Sequence, residues 1–183
     1  TCVSLNDVVV HGVPSKNVVL KSGDFVKIDT ACSYKGYSVD AARFYFVEGA
    51  SDVVKSMSFV VQDALDLAIS IIKPGIRVHD ISFCIQQRVE KEGFGVVRDF
   101  AGHGIGKNLH ELPEIPNFGT PGTGAVLQPG MTFAIEPMIT EKSYELEILD
   151  DGWTARTKDG GIAAHVEDTI LVCDNGAEVL TRF

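Results

Sequence analysis

The sequence has few positive charges, and it has no hydrophobic run of membrane-spanning length. Its 16 lysines and arginines are outnumbered by 25 aspartates and glutamates, which gives a formal net charge of −9. A protein that binds nucleic acid normally carries a basic surface, so this balance argues against a nucleic-acid partner. A helix needs about 20 consecutive apolar residues to cross a bilayer, and every long apolar stretch here is interrupted sooner. We therefore expect no membrane partner either.

The cysteines are too few and too scattered for a disulfide framework or a zinc-binding CxxC pair. There are four of them, at Cys2, Cys32, Cys84 and Cys173, and we expect free thiols in a reducing compartment. Residues 1–6 lack the basic and apolar regions of a signal peptide. These features favour a cytoplasmic protein, with an organelle as the alternative if a transit peptide has been removed.

The most informative pattern is an internal repeat. Three segments recur in the same order: 11–12 with 103–104, 20–29 with 127–136, and 40–49 with 167–176. Each copy contains a His-Gly pair, a glycine turn, a strand that ends in an acid and a second strand that starts from an acid. No linker divides the 183 residues, so we treat 1–183 as a single domain.

The repeated segments contain four predicted strands, at 25–29, 42–47, 131–136 and 166–172, all rich in β-branched and aromatic residues. Short connections within each copy predict antiparallel hairpins.

Two helices are predicted between the copies. The first begins at Ser51 or Asp52 and ends at Pro74-Gly75. The second carries an apolar stripe from Val78 to Val89, with Gly93 as its stop. A symmetric fold would place an equivalent helix pair before the first hairpin. We therefore predict an α+β fold with a pseudo-two-fold antiparallel sheet covered by helices, the first helix pair being absent.

Five residues are candidate metal ligands: Asp29, Asp40, His103, Glu136 and Glu167. The pseudo-symmetry would bring the four acids face to face at the centre of the sheet. Four carboxylates in an apolar interior would repel each other and lose their hydration, whereas two divalent cations would cancel their charge. Glycines on both sides of the histidine leave room to present its imidazole. The sequence therefore predicts a metal pair.

The order of these motifs resembles that of the type I methionine aminopeptidases, which have the pita-bread fold. The shared motifs are VHGVP at 10–14, VKID at 26–29, SVDAARF at 38–44, GHGIG at 102–106, LHE at 109–111, TFAIEP at 132–137 and HVEDT at 165–169. The short gap between His103 and Glu136 has the type I form. The resemblance implies a metal-dependent exopeptidase that removes the N-terminal methionine of new polypeptides. Its partners would be peptides and nascent chains that begin with methionine.

The resemblance also implies how the metal ions are shared. Asp29 would chelate one ion, and Asp40 and Glu167 would bridge both. His103 and Glu136 would complete the shell of the other. Four carboxylates and one imidazole form a hard, oxygen-rich set of ligands, which fits Mn²⁺, Fe²⁺, Co²⁺ or Zn²⁺.

Catalytic and substrate-binding roles follow from the same resemblance. Glu136 would carry the proton, and His110 would stabilise the developing oxyanion or orient the peptide. His11 would hydrogen-bond the nitrogen of the leaving peptide. The methionine side chain would enter a soft apolar pocket. The residues of this pocket would be Cys2, Leu109, Met138 and Trp153.

Two positions depart from the family. His165 stands where the family usually has glutamine, on the same strand face as Glu167, so we expect it to contact substrate or metal. Asp168 replaces a common histidine on the opposite face, where we expect a surface role. Three alternatives remain: a proline-specific aminopeptidase or prolidase, a non-catalytic binding module of the same fold, and an inactive fragment. No oligomer interface is evident, and we expect a monomer.

Overall fold

An eight-stranded antiparallel sheet with two helices packed against it forms the centre of the computed structural model, which describes residues 1–182. Two three-stranded sheets lie beside it. The strands are β1 Cys2–Leu5, β2 Val8–Val10, β3 Phe25–Tyr34, β4 Tyr37–Phe46, β5 Gly95–Val96, β6 Ala101–Gly104, β7 Glu111–Pro116, β8 Thr132–Ile135, β9 Met138–Thr140, β10 Leu146–Ile148, β11 Ala155–Thr157, β12 Ala163–His165, β13 Glu167–Cys173 and β14 Gly176–Val179. The helices are α1 Asp52–Ser70 and α2 Val78–Lys91.

The order of the strands shows the two-fold repeat. The large sheet runs β1-β3-β4-β13-β8-β6-β7, and β14 also pairs with β13. Strands β4 and β13 meet at the centre. Outward from them lie β3 and β8, and then β1 and β6. The inner two strands on each side correspond, as the repeat in the chain predicts. The outer strands do not, because the first His-Gly pair, at 11–12, follows β2 in a smaller sheet, whereas the second lies in β6.

The first copy forms the predicted hairpin, but with longer strands. Strands β3 and β4 pair over their whole length around Lys35 and Gly36, whose φ angles are 51° and 82°. Positive φ at both central residues is typical of a tight hairpin turn. The prediction ended the first strand at Asp29 and began the second near Asp40, whereas both acids lie inside strands. The outer half of this hairpin is exposed, so it has no hydrophobic alternation that the sequence could reveal.

The second copy also pairs in antiparallel fashion, but not as a short hairpin. Ile135 of β8 lies opposite Asp168 of β13, while residues 136–166 form a long insertion between these strands. This insertion contributes β9 to β12, which pair with β2 and β5 in the sheets β10-β11-β2 and β12-β9-β5. The prediction of a short connection was therefore wrong for this copy, because the residues between its two strands form four further strands.

Helices α1 and α2 form in the predicted segments, although α1 ends at Ser70 rather than at Pro74-Gly75, and both cover one side of the sheet. Ser51 caps α1 by accepting a hydrogen bond from the backbone N–H of Val54. The predicted stripe from Val78 to Val89 is the buried face of α2. This helix is followed by Gly93 with a φ of 82°, as expected of a residue that ends a helix. Apolar residues of both helices pack with residues of β8 and β13 in the main hydrophobic core.

Asp168 is buried, and the expectation that it lies on the surface was wrong. Its carboxylate accepts hydrogen bonds from Arg43 Nη2 at 2.7 Å, Thr181 Oγ1 at 2.7 Å and Arg182 Nε at 2.6 Å. Arg43 also donates to the backbone oxygen of Glu167 at 2.6 Å. Residues 181–182 cover this face of β13, so the acid is shielded from water and compensated by two guanidinium groups.

Within residues 1–182, no helix is long and apolar enough to cross a membrane.

We predict that Asp168→Asn destabilises the metal-free protein by at least about 2 kcal/mol, because removing one partner of a buried ion pair leaves the other uncompensated. The two arginines are 35% and 37% exposed in their side chains, so they regain part of their hydration and the full cost is not reached. Urea unfolding in EDTA measures the change. The control is Glu145→Gln, which breaks an exposed pair with Lys158 and should cost less than about 1 kcal/mol. Equal effects of the two substitutions would contradict the prediction.

Candidate metal centre

Strands β4, β13 and β6 bring three possible metal ligands together. Asp40 lies on β4 and Glu167 starts β13, next to it in the sheet. His103 lies on β6. These three side chains each offer a ligand atom, and the atoms lie within 4.8 Å of one another. All three side chains are buried.

His103 reaches this point because β6 approaches β8 closely. A Cβ atom on Gly102 would lie 2.5 Å from the backbone oxygen of Ala134, so glycine is required there. The imidazole Nδ1 of His103 lies 2.9 Å from the backbone oxygen of Gly104. If Nδ1 carries the proton, this hydrogen bond leaves the lone pair of Nε2 free for a metal ion.

Glu136 and Asp29 complete the group. The Oε1 atom of Glu136 lies 3.5 Å from Nε2 of His103, and its Oε2 atom lies 3.6 Å from Nε2 of His165. Asp29 lies close enough to Asp40 for each carboxyl group to affect the pKa of the other. All five predicted ligands line one cavity of about 720 Å³.

Burial and mutual repulsion make the charged forms of these acids unfavourable in the metal-free protein. Burial raises the pKa of Glu136 to about 8, and the nearby Asp29 adds to the shift while His103 opposes it. Burial also raises the pKa of Glu167 well above its usual range, and the charges of Glu136, Asp40 and Asp29 raise it further. The pKa values of Asp29 and Asp40 are raised as well, again mainly by burial. The site therefore binds protons strongly unless another positive charge replaces them.

The donor set fits divalent metal ions. The Oε1 atom of Glu167 is buried and has no hydrogen-bond partner among the described residues, which is uncommon for a carboxylate oxygen. A metal ion would satisfy this atom and offset the repulsion between the acids. Several carboxylates with one imidazole suit metals of intermediate hardness rather than those that prefer thiolates.

Two predicted histidines and two predicted pocket residues share the cavity wall with these acids. His110 meets the ring of His103 edge-on, with 4.4 Å between the ring centroids. His11 stacks on Trp153 at 4.5 Å. Met138 is fully buried and contributes an apolar part of the wall.

Cys2, Leu109 and His165 are not among the residues that line the cavity in the described part of the chain. Cys2 lies on β1 directly opposite Asp29. Leu109 precedes His110 in the loop before β7. His165 lies on β12, where its side chain is buried against Glu136.

Sequence reasoning missed much of the cavity wall. The additional lining residues are Val10, Arg98, Asp99, Phe100, Ala101, Gly102, Glu111, Leu112, Glu114, Pro116 and Phe118. Most of them belong to β6, to β7 or to the segment just before β6. The guanidinium carbon of Arg98 lies 4.2 Å from the ring centroid of Tyr144 and 5.2 Å from that of Phe118, an arrangement that fixes it by cation–π contacts. Most of the additional lining residues lie close in the chain to the GHGIG motif at 102–106, and this proximity is the signal that could have identified them.

The fold and the site together define a metallopeptidase. The sequence profile of metallopeptidase family M24 matches residues 1–174, and the chain belongs to this family. Within the family its relatives include methionine aminopeptidase A of Synechocystis, with 46% identity over 98% of this chain and 71% of the relative. The methionine aminopeptidase of Escherichia coli K12 is 42% identical over 98% of this chain and 68% of its own length.

The solved structures that are similar to this chain also include methionine aminopeptidases. A methionine aminopeptidase from Thermotoga maritima has 52% identity and a TM-score of 0.98, covering 100% of this chain and 73% of that one. A prolidase from Pyrococcus furiosus has 25% identity and a TM-score of 0.79, covering 100% of this chain and 48% of that one. The predicted resemblance, pita-bread fold and class of enzyme are confirmed, and the prolidases are the more distant relatives.

We predict that Glu136→Gln becomes more stable relative to the wild type as pH rises, when both proteins are metal-free. In the unfolded chain Glu136 ionises near the ordinary glutamate pKa of 4.5, whereas in the folded protein its pKa is about 8. The folded wild type therefore binds more protons between these values and loses stability as pH rises through them. Glutamine stays neutral and escapes this loss.

Urea unfolding in EDTA at about pH 5, 7 and 9 measures the difference. The free energy of unfolding of Glu136→Gln, relative to that of the wild type, should increase up to about pH 8 and then level off. Glu145→Gln, which changes an exposed acid, serves as the control and should show no such trend. A constant difference between Glu136→Gln and the wild type would contradict the raised pKa.

Proposed function

We propose that this chain is a single catalytic domain that removes the N-terminal methionine from peptides and nascent polypeptides with the help of two divalent metal ions. The observation that supports this most is the convergence of Asp40, His103 and Glu167 within 4.8 Å, in a cavity that Asp29 and Glu136 also line. The similarity to methionine aminopeptidases supports the substrate. Because new chains are made in the cytoplasm, we propose that it works there, as a monomer.

The carboxylates determine how many metal ions fit. Asp29 would hold one ion and His103 the other, together with Glu136. Asp40 and Glu167, on the two central strands, would serve both. The charge of two divalent cations balances that of four carboxylates. Mn²⁺, Fe²⁺, Co²⁺ and Zn²⁺ all suit this set of ligands. When bound, the metal ions supply activated water and polarise the scissile carbonyl group.

Glu136 is the residue best placed to move a proton. As a metal ligand its carboxylate would stay close to the activated water and could accept the proton that this water loses. It can then deliver this proton to the nitrogen of the leaving peptide. Its two oxygens lie close to the Nε2 atoms of His103 and His165, which restricts how the carboxylate can turn.

His110 and His11 would bind the substrate on either side of the reacting bond. His110 is held edge-on against His103, next to the metal ligands, where it can donate to the developing oxyanion or orient the peptide. His11 is held between Trp153 and Phe100, at ring centroid distances of 4.5 and 5.2 Å. From there it can hydrogen-bond the nitrogen of the leaving peptide.

The methionine side chain would bind against apolar residues of the wall. Met138 and Trp153 line the cavity, and a thioether and an indole suit a thioether substrate. Cys2 lies beside Asp29, and Leu109 adjoins His110, so both would contribute from the edge of the pocket.

Hydrolysis is tested with a Met-Ala peptide and the chain loaded with Mn²⁺ or Co²⁺. We expect release of free methionine that EDTA abolishes. Because Glu136 would act both as a ligand and as the proton carrier, Glu136→Gln should lower kcat by at least about 10²-fold. An Ala-Pro dipeptide is the comparison substrate. Faster cleavage of Ala-Pro than of Met-Ala would favour the prolidase alternative, and no metal-dependent release from either would contradict the proposal.

The number of metal ions is tested by elemental analysis after saturation and gel filtration. We expect two ions per chain for the wild type and one for Asp29→Asn, because Asp29 would hold only one of them. The matched control is Asp174→Asn, which changes an exposed acid outside the cavity and should leave two ions. A single ion in the saturated wild type would contradict the metal pair.

A further inference from the structure

Glu136 lies between two imidazoles, of which only one belongs to the cavity wall. Its Oε1 atom faces His103 at 3.5 Å, and its Oε2 atom faces His165 at 3.6 Å. His103 lines the cavity, but His165 is 1% exposed and approaches Glu136 from within the protein. The two oxygens of one carboxylate therefore have different surroundings.

The Nε2 atom of His165 has no hydrogen-bond partner among the described residues. Buried polar atoms are nearly always paired, so a buried nitrogen aimed at a carboxylate needs an explanation in terms of function. The distance of 3.6 Å to Oε2 exceeds that of an ordinary N–H···O bond by several tenths of an ångström. A small rotation of the glutamate side chain would close this gap.

His165 is held in place by a well-anchored strand. It pairs with Met138 across β12 and β9, and Met138 lies two positions after Glu136. The backbone oxygen of Ala163, on the same strand, accepts a hydrogen bond from the buried Nζ atom of Lys27 at 2.9 Å. The strand that carries His165 is therefore anchored beside the segment that carries Glu136.

We propose that His165 is a positioning residue, whose Nε2–H donates to Oε2 of Glu136 and so directs Oε1 towards the metal ions. This rests on the proposed function, in which Glu136 is a metal ligand and proton carrier. Histidine ligands are commonly oriented by a hydrogen bond to a second group, and here the same principle applies to a ligating carboxylate.

The two histidines then have opposite tautomers. The backbone oxygen of Gly104 can only accept, so Nδ1 of His103 is the donor in this contact, and Nε2 would offer its lone pair to a metal ion. His165 carries its proton on Nε2 and acts as a donor. A glutamine amide at this position could donate in the same way, whereas an aliphatic side chain could not.

The test compares His165→Gln and His165→Leu with the wild type. The dissociation constant for Mn²⁺ should rise about 10- to 100-fold in His165→Leu, because Glu136 loses its orientation. His165→Gln should stay within about threefold of the wild type. The Tm of the EDTA-treated protein should not fall in His165→Leu, since the buried nitrogen that is removed has no partner there. His79→Gln changes a histidine outside the metal cavity and is the matched control.

A second readout is the imidazole nitrogen spectrum of the Zn²⁺-loaded protein. We expect His165 to show a protonated Nε2 and an unprotonated Nδ1, with no metal-bound nitrogen. A metal-bound Nε2 would overturn the positioning role, as would a wild-type Mn²⁺ affinity in His165→Leu. A matching loss in His165→Gln, or a lower Tm of metal-free His165→Leu, would also overturn it. If the wild type binds Mn²⁺ but releases no methionine, the proposed function fails, and the affinity series still tests the position of Glu136.

Discussion

The repulsion among four buried or partly buried carboxylates is the constraint on which the rest of this structure depends. Asp29, Asp40, Glu136 and Glu167 come from both halves of the repeat, and burial raises the pKa of each. The fold forces together groups that would separate in water, so the site is stable only with protons or cations. Protons and metal ions therefore bind here for the same reason, because each relieves the electrostatic repulsion between the carboxylates.

The symmetry of the sheet explains why a single repeated element is enough to build this site. Because β4 and β13 are neighbours, each half contributes one acid from its central strand, and a second acid lies in β3 or directly after β8. The helices need only cover the sheet. Both halves carry a His-Gly pair, but they place it differently. His103 reaches the centre because Gly102 lets β6 come close to β8, whereas His11 lies against Trp153 and Phe100.

Sequence alone predicted the repeat, both helices and the candidate ligands, because each depends on local spacing. It did not show that the long segment between β8 and β13 forms four further strands, because the partners of these strands, β2 and β5, lie far away in the chain. It also placed Asp168 on the surface. Alternation identifies which face of a strand a residue occupies, but it does not show that residues 181–182 cover that face. The wall formed by Arg98 and Phe100 depends on tertiary contacts.

The central position of β13 has a consequence for how this protein is made. The backbone N–H of Asp40 donates to Thr169, 129 positions later in the chain, so the middle of the sheet closes only after nearly all its other strands have been synthesised. Until then β4 presents an unpaired edge, which is prone to pair with other chains. Such distant contacts also slow folding. The active site of this protein would therefore form late in its synthesis, when nearly all of its strands have been made.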